Sequence, residues 1–301
     1  MKSLPLGLLI AAAFGVLGCG TNSKSKASST MQTSVGDILS WKAEPTDAVI
    51  HYGAAPAQVA ELRLPPTPGP FPVAVVIHGG CWQAEFDRTH ATPMSVALAK
   101  SGFAVWTIEY RKLGEKGGGW PGTFEDVGDA IDALKAQAGK YSLDLSRVVL
   151  VGHSAGGQLA LWYSASEKLP ASSPLHRHSA LPIRGVVVLA GMTDLGASNT
   201  ACGDSGVELI GGKDLLGKRA AEASPIAMLP IGVRQRLVHG VEDRVVPIAL
   251  GRTYAKAART AGDDIQLTEL PGFGHFDLIN PKTGAWPAVI AAVRELSEPV
   301  R

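Results

Sequence analysis

The sequence predicts an α/β fold in which a mostly parallel, doubly wound sheet is covered by helices on both faces. Short apolar runs rich in β-branched residues alternate with helical segments through most of the chain. Unbroken apolar runs are typical of parallel strands buried on both faces, and right-handed crossovers join strands that alternate with helices. With 301 residues, no internal repeat and no central low-complexity linker, the chain is expected to form one main domain.

The predicted elements follow in chain order. Residues 47–52 and 58–64 alternate apolar and polar side chains, which predicts a leading antiparallel pair, and a proline-rich stretch then interrupts regular structure. Parallel strands are predicted at residues 73–77, 103–108, 148–151, 185–190, 236–239 and 265–270. Helices are predicted at residues 92–100, 124–137, 157–166, 248–261 and 286–296. The irregular residues 192–230 fall where a cap could cover the carboxyl edge of the sheet, the edge that carries the chemistry in such folds.

The amino-terminal residues predict export. Lys2 precedes an apolar run at residues 4–17, which is too short to span a bilayer comfortably and fits the hydrophobic region of a signal peptide. The run ends in Val-Leu-Gly-Cys at residues 16–19, which resembles the lipobox of bacterial lipoproteins. The resemblance implies that Cys19 receives a diacylglyceryl group. An ordinary cleaved signal with an incidental cysteine is the alternative.

The residues after Cys19 predict a flexible tether, because residues 20–33 are rich in Ser, Thr and Lys and cannot bury apolar area. We therefore divide the chain into a signal peptide at residues 1–18, a tether at residues 19–40 and a folded domain at residues 41–301. An exported, lipid-anchored protein of the cell envelope is expected, facing the periplasm or the exterior.

The charge of the chain bears on its binding partners, and the cysteine content bears on whether a disulfide can form. Lys and Arg number 28 and Asp and Glu number 27, a formal charge of +1. No basic cluster is interleaved with aromatic residues, so we exclude nucleic acid as a partner. Beyond Cys19 the chain holds only Cys81 and Cys202. Their spacing does not decide between a disulfide and two free thiols.

The motif Gly-His-Ser-Ala-Gly at residues 152–156 indicates a nucleophile. It follows the β-branched strand at residues 148–151 and precedes an apolar helix, so Ser154 lies on a tight strand-to-helix turn. Glycines on both sides are needed because neighbouring backbone passes close to such a strained turn. The hydroxyl is then presented at the start of a helix, whose N–H groups favour developing negative charge.

A base and an acid for Ser154 follow in the expected order. A serine hydroxyl needs a base to take its proton and a third group to orient that base. Asp243 follows the penultimate predicted strand, and His275 lies in a Gly-Phe-Gly-His turn after the last strand. The order Ser154, Asp243, His275 predicts a catalytic triad.

Other candidates for these two roles stay open. Asp243 could instead cap its loop, Glu242 is its neighbour, and Asp194 follows the preceding strand. Among the eight histidines, His239 is predicted to pack within a strand, and His153 is expected to point away from the reacting centre.

Donors for an oxyanion are predicted beside the serine. The sequence His-Gly-Gly-Cys-Trp at residues 78–82 follows a central strand, and its small residues let backbone N–H groups approach a substrate carbonyl. We assign the N–H groups of Gly80, Cys81 and Ala155 to the oxyanion hole. A tight turn with Trp82 in the core is the purely structural alternative, and a catalytic thiol at Cys81 is a weaker one.

Together these motifs give the chain a family resemblance. Residues 47–296 resemble the α/β-hydrolase superfamily, and the motifs at residues 78–82 and 152–157 resemble its kynurenine formamidase-like and feruloyl/acetylxylan esterase-like branch. The resemblance implies the triad and the donors named above. The Glu-Tyr-Arg segment at residues 109–111 is also typical of these relatives. We interpret Arg111 with Glu109 or Asp126 as a structural ion pair rather than a substrate contact.

The expected function is hydrolysis of carboxylic esters through an acyl-enzyme, without a cofactor or a metal. The substrate is a small-molecule ester or amide, and the membrane is a partner through the lipid anchor. One alternative is an arylformamidase that hydrolyses N-formyl aromatic amines, against which export argues. Another is an inert binding protein on a hydrolase fold, against which the complete triad argues. His176 and His178 have no third ligand nearby, so a loop is favoured over a metal site.

Overall fold

The sheet has eight strands, and the strands that follow the first two run parallel. A computed structural model describes residues 32–42, 44–178, 181–197 and 200–298. The strands are β1 (Ala48–His51), β2 (Val59–Arg63), β3 (Phe71–Ile77), β4 (Ala104–Ile108), β5 (Leu143–His153), β6 (Ile183–Leu189), β7 (Arg234–Gly240) and β8 (Ile265–Leu270). Their spatial order is β1-β2-β4-β3-β5-β6-β7-β8. Strand β2 pairs antiparallel with β1 and with β4, and all later neighbours are parallel.

Helices connect the strands and cover both faces. They are α1 (Val35–Leu39), α2 (Thr92–Lys100), α3 (Gly122–Asp132), α4 (Leu134–Tyr141), α5 (Ala155–Ala165), α6 (Ser205–Leu209), α7 (Lys213–Ala223), α8 (Ile248–Thr260) and α9 (Trp286–Ser297). Side chains alternate across β3: Val73 and Val75 join one buried cluster with residues of α3, α5 and α8, and Ala74 and Val76 join another with residues of α2 and α9. The predicted doubly wound architecture is confirmed.

The differences from the predicted elements are small. The predicted helix at residues 124–137 is two helices, α3 and α4, which meet at Ala133. The predicted strand at residues 148–151 is longer, because β5 begins at Leu143 with a register shift against its neighbours. The predicted cap region contains the short helices α6 and α7, which lie between β6 and β7 in the chain.

Residues 32–40 are packed against the domain, although the sequence places them in the tether. Helix α1 begins after Ser34, whose hydroxyl accepts the N–H of Asp37, while Asp37 accepts the N–H of Ser34 in return. This capping box closes the first turn. Ile38 is buried among residues of the second cluster. The described end of the predicted tether therefore belongs to the folded domain.

The predicted signal peptide, Cys19 and residues 20–31 of the predicted tether lie outside the described residues, so lipidation stays a prediction. In the part of the chain that the structure describes, no helix combines the length and apolar character needed to cross a membrane.

Candidate active site

Ser154 occupies the strained turn between β5 and α5. Its backbone has φ 55° and ψ −120°, a conformation that costs a non-glycine residue free energy and recurs at functional sites. The residue is 2% exposed. The serine therefore lies at the carboxyl end of a central strand, directly before the first helical N–H groups, as the sequence predicts.

The loop at residues 78–83, here called the glycine loop, lies against this turn. A Cβ atom on Gly79 would stand 2.9 Å from the Cβ atom of Ser154, and one on Gly156 would stand 2.1 Å from the carbonyl oxygen of Ile77. Real side chains do not tolerate such contacts, so both positions require glycine. The close approach of the two backbones brings the glycine loop beside the Ser154 hydroxyl.

Asp243 and His275 are joined by a short hydrogen bond. The Nδ1 atom of His275 lies 2.8 Å from Oδ2 of Asp243. The other carboxylate oxygen accepts the backbone N–H groups of Val245 and Val246, each at 2.8 Å. Because a carboxylate only accepts, Nδ1 of His275 carries the proton and Nε2 is left to act as a base.

The carboxylate of Asp243 is held in its charged form. Burial alone would raise its pKa, but hydrogen bonds from His239 and His275 outweigh burial and hold the pKa below its usual range. The Nε2 atom of His239 lies 2.8 Å from the carbonyl oxygen of Val246 and 3.5 Å from Oδ2 of Asp243. His239 is packed in its strand as predicted, and it also contacts the acid.

His153 does not point away from the site, contrary to expectation. Its ring centroid lies 4.5 Å from that of His275, and its Nε2 atom donates to the carbonyl oxygen of His275 at 3.2 Å. Nδ1 of His153 must then accept, and Nε2 of His90 donates to it at 3.0 Å. The rings thus form a chain from His90 through His153 to the backbone of His275.

Burial keeps the two supporting rings neutral. Burial lowers the pKa of His90 to about 3, and the neighbouring imidazoles of His78 and His275 act in the same direction. The pKa of His153 is also held well below its usual range by burial and by the nearby rings of His275 and His90. For His153 the hydrogen-bond directions also require a neutral ring, because its Nε2 donates while its Nδ1 accepts. No sequence motif marks His90, so its place in this chain of rings could not be predicted.

The backbone of the glycine loop is strained over three residues. Gly80 has φ +109°, Cys81 has φ +52° and Trp82 has φ +58°. Left-handed conformations are uncommon for side chains such as those of Cys and Trp. Trp82 is fully buried, and its Nε1 atom donates to Oε1 of Gln158 in α5 at 3.1 Å. The loop is therefore fastened to the helix that begins after Ser154, which is where donors for an oxyanion are predicted.

Cys81 and Cys202 form a disulfide, with their Cα atoms 5.3 Å apart. The open choice between a bridge and two free thiols is thus resolved for this structure. A bridged Cys81 has no thiolate, so the alternative of a catalytic thiol at this residue is wrong.

Glu109, directly after β4, makes buried polar contacts with the first residue of the glycine loop. Nε2 of His78 lies 2.9 Å from Oε1 of Glu109, and Nζ of Lys112 donates to the same oxygen at 2.7 Å. Burial would raise the pKa of Glu109, but electrostatic attraction and hydrogen bonds from His78 and Lys112 bring it down to about 2. Arg111 pairs with Asp126 instead, through Nη2 at 2.7 Å. The predicted structural ion pair of Arg111 is therefore made with Asp126 and not with Glu109.

The competing candidates are engaged elsewhere. Oε2 of Glu242 accepts the backbone N–H of Gly272 at 2.6 Å, and Oδ1 of Asp194 accepts the N–H of Gly196 at 2.9 Å. Nδ1 of His176 lies 2.7 Å from the carbonyl oxygen of Leu169. Within the described ranges, no cluster of three or more His, Cys, Asp or Glu side chains could hold a metal ion.

Comparison with known proteins gives a family match over most of the domain. The model of the BD-FAE family matches residues 61–257. Esterase LipC of Mycobacterium tuberculosis (strain ATCC 25618 / H37Rv) is 27% identical over 259 residues, which are 80% of this chain and 62% of LipC. The chain thus spans less than two thirds of the length of this relative.

Solved structures share the architecture at low sequence identity. A truncated form of a carbohydrate esterase from gut microbiota has a TM-score of 0.70 and 22% identity, covering 84% of this chain and 97% of that chain. Esterase B from Lactobacillus rhamnosis, in a structure with a C4-C4 SN3 tributyrin phosphonate, has a TM-score of 0.72 and 18% identity, covering 85% of this chain and 88% of that chain. At these identities the likeness concerns the fold.

Proposed function

The chain belongs to the BD-FAE family and has an α/β-hydrolase fold, and from this premise we propose that it is a serine hydrolase of carboxylic esters. The observation that carries the proposal is the hydrogen bond between His275 and Asp243, made beside a strained serine turn. Relatives of the chain are esterases, which supports the ester as the scissile group.

In the proposed mechanism, Ser154 attacks the acyl carbon while Nε2 of His275 takes the hydroxyl proton. Asp243 stabilises the imidazolium that forms and keeps the ring in the required tautomer. The N–H groups of Gly80, Cys81 and Ala155 donate hydrogen bonds to the carbonyl oxygen, on which negative charge develops. His275 then gives its proton to the leaving alkoxide, which departs as the alcohol and leaves an acyl-enzyme.

Water completes the cycle by a second pair of steps, in which water is the nucleophile and the Ser154 oxygen is the leaving group. His275 takes a proton from the attacking water, the second tetrahedral adduct collapses, and the Ser154 oxygen leaves with that proton while the carboxylic acid is released. Each step uses side chains and backbone groups of the chain alone. The acid–base pair works while Asp243 is ionised, which its lowered pKa secures at neutral pH.

The test is replacement of the nucleophile in the purified full-length protein. We expect Ser154→Ala to lower kcat for p-nitrophenyl acetate by at least about 10⁴-fold, because no other group forms the acyl-enzyme. Ser164→Ala is the matched control. Ser164 lies in α5, the helix that begins directly after Ser154, and its hydroxyl donates to the carbonyl oxygen of Ala160, so this variant should keep its activity.

Two further outcomes separate the alternatives. A fluorophosphonate probe should label the unmodified protein and not the Ser154→Ala protein, whereas an inert binding protein would remain unlabelled. Faster turnover of N-formylkynurenine than of acetylated or feruloylated sugars would favour the arylformamidase. An Ser154→Ala protein that keeps most of its esterase rate would contradict the proposed nucleophile.

A further inference from the structure

Residues 200–209, here called the clasp, are connected to the glycine loop at two points. The disulfide joins Cys202 of the clasp to Cys81 of the loop. Nε2 of Gln83 donates to Oγ of Ser205 at 2.8 Å. One covalent bond and one hydrogen bond therefore connect the glycine loop to the clasp. The buried side chain of Trp82 separately connects the same loop to the core.

The clasp also contacts the loop that carries the acid. The backbone N–H of Ala201 donates to the carbonyl oxygen of Val245 at 2.8 Å. The N–H of Val245 in turn donates to Oδ1 of Asp243 at 2.8 Å. A stretch of five residues, from Ala201 to Ser205, thus connects the two loops between which the substrate carbonyl must lie in the proposed mechanism.

The glycine loop needs such support because of its backbone conformation. Cys81 and Trp82 are consecutive residues in the left-handed region, and a strained conformation persists only where surrounding structure determines it. The side chain of Trp82 is held by Gln158. Within the described part of the chain, the side chain of Cys81 is held by the disulfide, so the orientation of its N–H depends on the clasp.

We propose that the clasp is a positioning element and that Cys202 is a positioning residue, which holds the backbone N–H of Cys81 in the oxyanion hole through the disulfide. The inference rests on the proposed function. Cys202 itself does not touch the substrate. Its effect is on the transition state, because a donor that is preorganised for an oxyanion costs no reorganisation when the charge develops.

The test is Cys202→Ser in the full-length protein, assayed with p-nitrophenyl acetate well below its unfolding temperature. Losing one oxyanion donor lowers kcat about 100- to 1,000-fold, so loosening one should lower it by about 10-fold or more. KM should stay within about threefold, because an oxyanion interaction strengthens in the transition state and not in the bound substrate. A disulfide that only stabilises the fold would leave kcat unchanged.

Leu296→Ala is the matched control for lost stability. Leu296 is buried at the end of α9 and packs near Gly185 at the amino end of β6, far along the sheet from Ser154. This variant should lower the unfolding temperature through the cavity it creates, with kcat unchanged. A kcat loss of equal size in Leu296→Ala and Cys202→Ser would overturn the inference.

Reduction of the folded unmodified protein gives a second test, which does not depend on the folding of a variant. Dithiothreitol supplies two electrons and two protons, the S–S bond breaks, and two thiols form while the reagent closes to a cyclic disulfide. Once titration confirms two new thiols, kcat should fall as in Cys202→Ser and recover on reoxidation. The same reagent should leave Cys202→Ser unaffected.

The outcomes for Ser154→Ala and Cys202→Ser are distinguishable. An active Ser154→Ala protein would remove the proposed function and the inference with it. An inactive Ser154→Ala protein together with full kcat in both the Cys202→Ser and the reduced protein would overturn the inference alone, because the glycine loop would then keep its geometry without the bridge.

Discussion

The two oxygens of Asp243 have different partners. Oδ1 accepts two backbone N–H groups of its own loop, and Oδ2 accepts the ring of His275. The two backbone N–H groups orient the carboxylate, so that its second oxygen points at the base. Both oxygens of a carboxylate accept hydrogen bonds. A neutral amide has only one accepting oxygen, and a carboxylate elsewhere in the loop would not have both of these partners within reach.

Asp243→Asn should therefore lower kcat by about 10³- to 10⁴-fold. The backbone N–H groups of the loop would select the amide oxygen, which turns the amide NH₂ toward His275 and favours the tautomer with the proton on Nε2. Steady-state kinetics near neutral pH measures the effect. Glu242→Gln is the control, because Glu242 binds Gly272 and should lose little activity. Equal losses in the two variants would contradict the assignment of Asp243.

Local motifs predicted the residues whose geometry is set within a few positions. Ser154 could be predicted because a strand, a strained turn and a helix follow one another directly, with glycines where backbones meet. His153 could not be oriented from the sequence, since its direction depends on where the His275 backbone packs. The pairing of Cys81 with Cys202 spans a sequence separation of 121 residues, and spacing alone gives no distance between such residues.

At the scale of elements, the segment at residues 32–40 packs on the loop that carries His275. Oδ1 of Asp277 accepts the backbone N–H of Thr33 at 2.8 Å, and Oδ2 accepts the N–H of Gly274 at 2.7 Å. Asp277 is 3% exposed. One buried carboxylate thus connects the start of the folded domain to the residue before the proposed base.

Asp277→Asn should lower the free energy of unfolding by about 1–3 kcal/mol, because the amide leaves one buried N–H facing another donor. We also expect a lower kcat, since Gly274 precedes His275. Urea unfolding and steady-state kinetics test this. Asp37→Asn is the matched control in the same segment; Asp37 is exposed, and its replacement should change the urea midpoint less. Identical midpoints in the two variants would argue against the proposed connection.

The packing of this segment explains why the predicted tether extends too far. The Ser, Thr and Lys content of residues 20–33 predicts a flexible chain. Composition does not reveal that Ile38, a few residues later, is buried against the domain. The sequence does contain a signal, because Ser34 and Asp37 have the spacing of a capping box. The strands, by contrast, were predictable, since a parallel sheet covered on both faces demands unbroken apolar runs.

For the whole molecule, the buried imidazoles of His90 and His153 make stability depend on pH. His90 has a pKa of about 3, well below the unfolded value of about 6.5, and the pKa of His153 is lowered as well. Below about pH 6.5 the unfolded chain binds protons that the folded chain refuses. Stability contributed by these groups is therefore complete above about pH 6.5 and is lost as the pH falls toward about 3.

The free energy of unfolding should consequently fall as the pH is lowered from about 7.5 to about 5, by up to about 1.4 kcal/mol per pH unit for each of His90 and His153. His90→Gln should reduce this slope, because glutamine does not titrate. Urea unfolding at several pH values measures it. Glu109 and Asp243, whose pKa values are lowered, contribute stability that is lost mainly below about pH 5, at and beyond the lower end of this range. An unchanged slope in His90→Gln would contradict the explanation.

The two described ends of the domain lie at opposite ends of the parallel strands. Thr33 binds Asp277 beside the His275 loop, whereas the carbonyl oxygen of Glu298 accepts from Arg184 at the amino end of β6. An affinity tag, a fluorophore or a solid support attached after Glu298 would therefore lie away from the loop that carries His275. The same attachment immediately before Gln32 would lie beside that loop, so immobilised preparations should be more active when coupled through the carboxyl terminus.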